Sequence, residues 1–361
     1  MVIAVLVFLL VFSVVVLAHE LGHYYFAIRA GARVEEFGFG LPPRIWGRRK
    51  GGTIYSLNLI PFGGFIRLYG EDDSFIKDKR SFISKTPRQK LSIVAGGVLM
   101  NFVLGFVVML IGLWLGMPPL ASPAERYVSE ANRIETRVLV VATVQDSIAA
   151  RAGLLAGDYI LASGDQKFND PAVFKDFIQH RAGKSTPVLV KRQRQELTLE
   201  MTPVKGKSGL AEVGVLLDQS VDKVHYIWWQ VPWVALQETL RVTWLVAVSI
   251  ASLIYKIFAT ASLPAEISGP VGIAKITIDM VKLGLLRVLQ FIIFLSINLG
   301  VINVVPFPGL DGGRLVFVAV EWLRRGKRVS GQIENAINTL GFVLLVALIT
   351  VITYKDILKL I

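Results

Sequence analysis

Two histidines four residues apart, in His19-Glu20-Leu21-Gly22-His23, are the first residues of this chain whose spacing suggests chemistry. On a helix, side chains at i and i+4 share a face with Cβ atoms about 5–6 Å apart, so both rings can reach one metal ion. Glu20 projects about 100° away from His19 on the same helix. That direction suits a general base better than a third ligand: it would take the proton of the attacking water and pass it to a leaving amine. A hydrolytic zinc site needs three protein ligands and one open position. The chain has no cysteine, and His180 and His225 are its only other histidines, in or after a soluble stretch. The missing ligand is therefore expected to be a carboxylate.

Asp311 is the best candidate. It stands in Asn303-Val304-Val305-Pro306-Phe307-Pro308-Gly309-Leu310-Asp311-Gly312-Gly313, between two apolar runs. Prolines and glycines interrupt a helix there. Irregular backbone at membrane depth is tolerated only where protein buries it or it lines a wet cavity. An ionisable residue in such a place is functional by default. Asp279 is a weaker rival, and Glu321 and Glu334 are expected to be solvated beside a basic loop. Asn101 and Asn303 are polar positions in apolar runs, expected to hydrogen-bond the freed backbone of an unwound substrate.

These residues need a membrane to hold them. Of 361 residues, 53% are hydrophobic and 18% charged. Residues 2–18 carry no charge, and the missing basic n-region favours a span over a cleaved signal peptide. A helix through residue 28 would be on the order of 40 Å long. The net charge of +12 is of a size that nucleic-acid binders also show. Here the cations crowd beside apolar spans, and no nucleic-acid partner is expected. Residues 29–90 hold 13 Lys/Arg against six Asp/Glu, which marks the cytoplasmic side. Inside that region Val34–Phe39, Thr53–Leu59 and Gly64–Leu68 read as short strands touching the membrane.

The remaining organisation follows in order. Residues 91–118 form a second span, with Gly96, Gly97 and Gly105 available for close packing. Residues 120–205 are soluble in composition, with strands at Val138–Val144, Val188–Lys191 and Glu196–Met201 and a helix at Phe174–His180. Residues 206–284 form a membrane-associated region. Its apolar run Thr243–Tyr255 has only 13 residues and reads as an interfacial helix, with a true span as the alternative. A break is expected around Pro264, Glu266, Gly269, Pro270 and Gly272. Residues 285–323 form a third, broken span, and 324–361 a basic loop and a fourth. The expected fold class is a polytopic α-helical membrane protein of about four spans, with a membrane-associated β element and one soluble domain.

Two resemblances add to this reading. Ala152-Gly153-Leu154-Leu155-Ala156-Gly157-Asp158-Tyr159-Ile160 resembles a PDZ domain of the bacterial protease type, which implies a peptide ligand bound as an added strand. Taken with His19-Glu20-Leu21-Gly22-His23, Gly97-x-x-x-Asn101, Ser268-Gly269-Pro270-Val271-Gly272 and Asn303-x-x-Pro306-x-Pro308-x-Leu310-Asp311-Gly312, the chain resembles the site-2 protease family of intramembrane zinc metalloproteases, near its RseP-type bacterial members. The resemblance implies one zinc ion on His19, His23 and Asp311, with Glu20 catalytic. It implies a multi-pass protein of the inner or plasma membrane, with the active site toward the cytoplasm and the PDZ domain outside. The implied partners are the lipid bilayer and single-span substrates, such as anti-sigma factors in stress signalling or remnant signal peptides. The relatives often carry two PDZ domains where this chain shows one. Two rival classes make different predictions. An ion-coupled transporter would show two repeated halves, and no repeat is visible. A non-catalytic PDZ scaffold would hold no zinc.

Overall fold

A computed structural model describes residues 2–71, 78–122, 131–144, 146–192, 195–205, 211–260 and 269–358. Pro264 and Glu266, expected in a helix break, and Ser268 of the Ser268–Gly272 element lie outside them. The chain divides into two compact units: Met1–Leu110 with Ala235–Ile361, and Ile111–Val234.

The first unit opens with helix α1 (Val2–Arg29). It stops at Gly31, whose φ of +69° lets the amides of Ala30, Gly31 and Ala32 close back onto the last turn. Strands β1 (Val34–Lys50) and β2 (Thr53–Leu68) follow, joined at Gly51-Gly52. Both glycines have positive φ, as a two-residue hairpin turn requires. These are two long strands where the sequence suggests three short ones. The pairing steps from Leu41–Ile60 to Arg44–Asn58 around Pro42-Pro43, so the prolines sit in a bulge that needs no ladder donor. The strands also fold back on themselves. Glu36–Phe39 pairs on one side with Ile54–Leu57 and on the other with Gly64–Arg67. Segment Gly64–Leu68 is thereby an edge, with no strand on its far side among the described residues.

Helix α2 (Pro87–Trp114) leads out of this unit. In the second unit, α3 (Ile148–Arg151) and α4 (Pro171–Gln179) accompany a sheet in the order β10-β3-β4-β6-β7. Its strands are β3 (Arg133–Thr143), β4 (Tyr159–Ser163), β6 (Thr186–Arg192), β7 (Gln195–Met201) and β10 (Val215–His225). Short β5 (Gln166–Lys167) pairs with β4, and β8 (Val204–Lys205) with β9 (Ala211–Glu212). The sheet therefore runs beyond the boundary expected at residue 205. Strand β10 has almost no inward apolar alternation, only Val224 being buried, so its sequence carries little strand signal. The segment Gly153–Asp158 is held by buried Asp158, which accepts from Arg192 at 2.7 and 2.8 Å and from the Leu155 amide at 2.9 Å. Asp158→Ala leaves the Leu155 amide without its acceptor and Arg192 with the Gly153 carbonyl alone. It is expected to cost this unit about 2 kcal/mol, read as early unfolding of the sheet in a thermal scan of the full chain. An unchanged unfolding temperature would refute it.

Back in the first unit, α5 (Val231–Thr260) is one continuous helix. Arg241 does not end it, because it pairs with buried Glu238 one turn away. Then come α6 (Pro270–Leu283), α7 (Leu285–Val304), α8 (Asp311–Leu323) and α9 (Gly331–Leu358). Among the described residues, five helices (α1, α2, α5, α7 and α9) are long and apolar enough to cross a membrane. Their outward faces stay apolar, as with Leu340 and Phe342 on α9, as lipid contact requires.

Candidate metal centre

The centre is built where α1 and α2 come together without side chains between them. A Cβ on Gly22 would fall on the Gly96 carbonyl, and one on Gly97 would fall on His23 Nε2. This approach brings the Ile93 carbonyl to 2.9 Å from His23 Nδ1. A carbonyl only accepts, so Nδ1 carries the proton and His23 Nε2 keeps its lone pair.

Helix α7 packs on α2 through Gly105 and Gly300, against Ile297 and Phe102. It ends at Val304, and the chain turns through Pro306, Pro308 and Gly309, whose φ is +88°. Gly312 and Gly313 lie against the carbonyls of Val305 and Phe307, and Gly341 of α9 lies against that of Pro308. This folded break starts α8 at Asp311, where a carboxylate also meets the positive end of the helix dipole.

His19 and His23 are buried, and three atoms converge between the helices. Asp311 Oδ2 is 3.0 Å from His19 Nε2 and 3.2 Å from His23 Nε2, and the two ring nitrogens are 3.2 Å apart. Despite these distances Oδ2 completes no hydrogen bond. Electron pairs facing one another across such gaps need a shared cation. Ligands about 2.0–2.1 Å from a tetrahedral zinc ion stand about 3.3 Å apart, and the observed triangle fits that spacing. Among the described residues, this is the one cluster of three His, Asp or Glu side chains arranged to hold an ion.

The chain matches the model of Peptidase family M50 over residues 7–348. It belongs to that family. A Clostridium perfringens protein whose assigned name is that of a zinc metalloprotease is 33% identical over 350 residues, covering 97% of each chain. The regulator of sigma-W protease RasP of Bacillus subtilis is 28% identical, over 99% of this chain and 98% of its own. The PDZ domain of an SdrC-like protein from Listeria innocua shares 26% identity over 22% of this chain and 92% of its own, with a TM-score of 0.21. This M50 peptidase is a zinc metalloprotease of the site-2 type and a multi-pass membrane protein.

The other expected residues divide. Glu20 of the peptidase lies outside the ligand triangle and lines a cavity of about 220 Å³ with Phe65, Ile66, Leu310 and Arg314. Gly64 runs beside it: a Cβ there would lie 3.6 Å from Glu20 Cγ. Arg314 pairs with Glu71 at 2.7 Å, and both line the same cavity. Asp279 is exposed and pairs with Lys282, apart from the centre. Glu334 pairs with Arg328. Glu321, expected in solvent, is instead buried, with both its oxygens 2.9 Å from the Nζ of buried Lys90. Only the packing of α8 on α2 decides this, because neither residue looks apolar or paired in sequence.

Asn101, expected at the substrate, has no exposed surface and faces His19. Its amide stands 3.1 Å from His19 Nδ1 while its Oδ1 has no partner. The two ends of an amide are interchangeable in shape. With the oxygen toward the ring, Nδ1–H has its acceptor and Nε2 keeps a lone pair for the ion. Asn101→Leu is therefore expected to weaken zinc binding by about 10–100-fold, measured by chelator competition. Undiminished affinity would refute this positioning role. Asn303 Nδ2 lies 3.4 Å from His19 Nε2, on the ligand side of that ring.

Proposed function

We propose that this peptidase hydrolyses peptide bonds within the transmembrane segments of single-span membrane proteins. His19, His23 and Asp311 hold one zinc ion, and Glu20 is the catalytic acid and base. The observation that carries this reading is the convergence of three electron-pair donors, 3.0–3.2 Å apart, from helices at opposite ends of the chain. A zinc ion held there would supply a Lewis acid for the scissile carbonyl and lower the pKa of the attacking water. Glu20 removes the proton from that water and delivers it to the leaving amine. A helical substrate has its carbonyls bonded internally and must unwind first. The unpaired edge Gly64–Leu68, beside Glu20, supports an extended substrate by strand pairing. Asn303 donates to its freed backbone.

The basic segments 29–90 and 324–328 support a cytoplasmic face for the active site. The sheet unit then lies outside, as a PDZ domain whose peptide groove is the cavity of about 530 Å³ lined by Phe174, Ile178, Val215 and Leu217. It acts as a filter on substrates with large outer domains. Asp356, near the end of α9, accepts from the amides of Gly269 and Gly272 at 2.8 Å, which favours an outer-side start for α6. If α5 crossed, residues 261–268 alone would have to return across the bilayer, a reach of about 30 Å fully extended. This supports four complete spans, with α5 lying in the interface. The substrates are anti-sigma factors or remnant signal peptides, a reading supported by the relative named for regulating sigma-W.

The test is metal content beside cleavage of a single-span reporter. Asp311→Ala should lose both its zinc and its cleavage. A variant that keeps one zinc per chain would sink the ligand assignment.

A further inference from the structure

We infer that the chain carries a specific site for an anionic glycerophospholipid, at the end of α1 opposite the substrate edge of the β element. A cavity of about 990 Å³ lies between the last turns of α1 and the hairpin β1–β2. Among the described residues its lining includes Arg33, Arg48, Lys50 and Arg80 and no carboxylate. Arg80 is engaged by Asp78 at 3.0 Å. Arg33 rests over the Tyr69 ring, 5.3 Å from its centroid. Among the described residues, no carboxylate forms an ion pair with Arg33, Arg48 or Lys50. Three like charges around one cavity repel one another, and an anion between them relieves that repulsion. The same charges would repel a cation or a basic peptide.

The apolar surroundings decide which anion fits. Trp46 lines the cavity and is 58% exposed, and Ile28 lines it and is 51% exposed. Ile45, Leu59 and Ile60, elsewhere on the hairpin, are also apolar and exposed. A soluble phosphate would leave that surface bare, whereas a phospholipid covers it with acyl chains. An exposed tryptophan beside cations is the pattern of a membrane interface, and basic pockets at the cytoplasmic ends of membrane helices bind anionic headgroups. The site lies on the other edge of the sheet from Gly64–Leu68 and contains none of the proposed zinc ligands. A lipid held there would fix the depth of the hairpin, and with it the depth of the substrate edge.

The inference rests on the cytoplasmic orientation proposed above, but its test requires no cleavage. The full chain in detergent is titrated with phosphatidylglycerol or with phosphatidylcholine of the same acyl chains, and retained lipid is counted by native mass spectrometry. One phosphatidylglycerol should be retained saturably, in preference to phosphatidylcholine. Each cation near an anionic lipid is worth about fivefold, so Arg48→Gln with Lys50→Gln should weaken retention roughly 25-fold. The pair Arg324→Gln with Arg325→Gln, on the other basic segment, should leave it unchanged. Equal retention of the two lipids by the wild type would overturn the site. So would equal losses in the two double variants, which would reveal only general surface charge. Glycerophosphate without acyl chains binding as tightly as the lipid would also overturn it, in favour of a soluble anion.

Discussion

Glu20→Gln is expected to lower cleavage of a single-span reporter by about 10²–10⁴-fold, the range for removing a general acid–base, while one zinc per chain remains bound. Glutamine keeps the size of glutamate and removes its basicity. Glu20 is not one of the three converging groups, and it lines with His19, His23 and Asp311 the cavity of about 220 Å³. The ligand set and the edge Gly64–Leu68 should therefore survive the change. Cleavage and zinc content must be measured on the same preparation. Turnover within tenfold of wild type would refute the catalytic role of Glu20. Loss of zinc together with turnover would show that it supports the centre rather than the chemistry.

Gly97→Ala should remove zinc although it substitutes none of the proposed ligands. The added Cβ falls on His23 Nε2 and stands 2.6 Å from His23 Cε1 and 2.8 Å from His19 Cε1. Both rings would have to leave the place where their nitrogens meet Asp311. Neither can swing freely, because His23 is bonded to the Ile93 carbonyl and His19 faces Asn101. A metal site tolerates about 0.5 Å of displacement, so affinity should fall by about 100-fold or more. Gly105→Ala on the same helix is the control. Its Cβ would meet only the Ile297 side chain, at 3.0 Å, and that side chain can shift. Equal zinc affinity in the two variants would mean that the α1–α2 approach is loose enough to admit a Cβ at Gly97.

Much of the site is legible in sequence because its signals are local. The spacing of His19 and His23 places two rings on one helical face whatever the rest of the chain does. The prolines and glycines around Asp311 announce a broken helix through backbone chemistry alone. The apolar runs and their flanking cations announce a membrane. The missing strand β10 was not legible, because a strand with little inward apolar alternation differs little from a loop. Helix α5 looked too short for the opposite reason: a paired Arg241 reads as an end in sequence and is none in the fold.

By itself, then, the sequence determined the membrane setting and singled out the candidate ligands His19 and His23, the candidate base Glu20 and the candidate distant carboxylate Asp311. Tertiary structure alone decided which polar groups meet. It set Asn101 beside His19, buried Glu321 against Lys90, and left at Gly97 the space that the two histidine rings occupy. The reason is physical. Helical and strand periodicity act over a few residues and leave a trace in composition. A contact between α1 and α8 depends on how several helices pack, and no residue type records its partner.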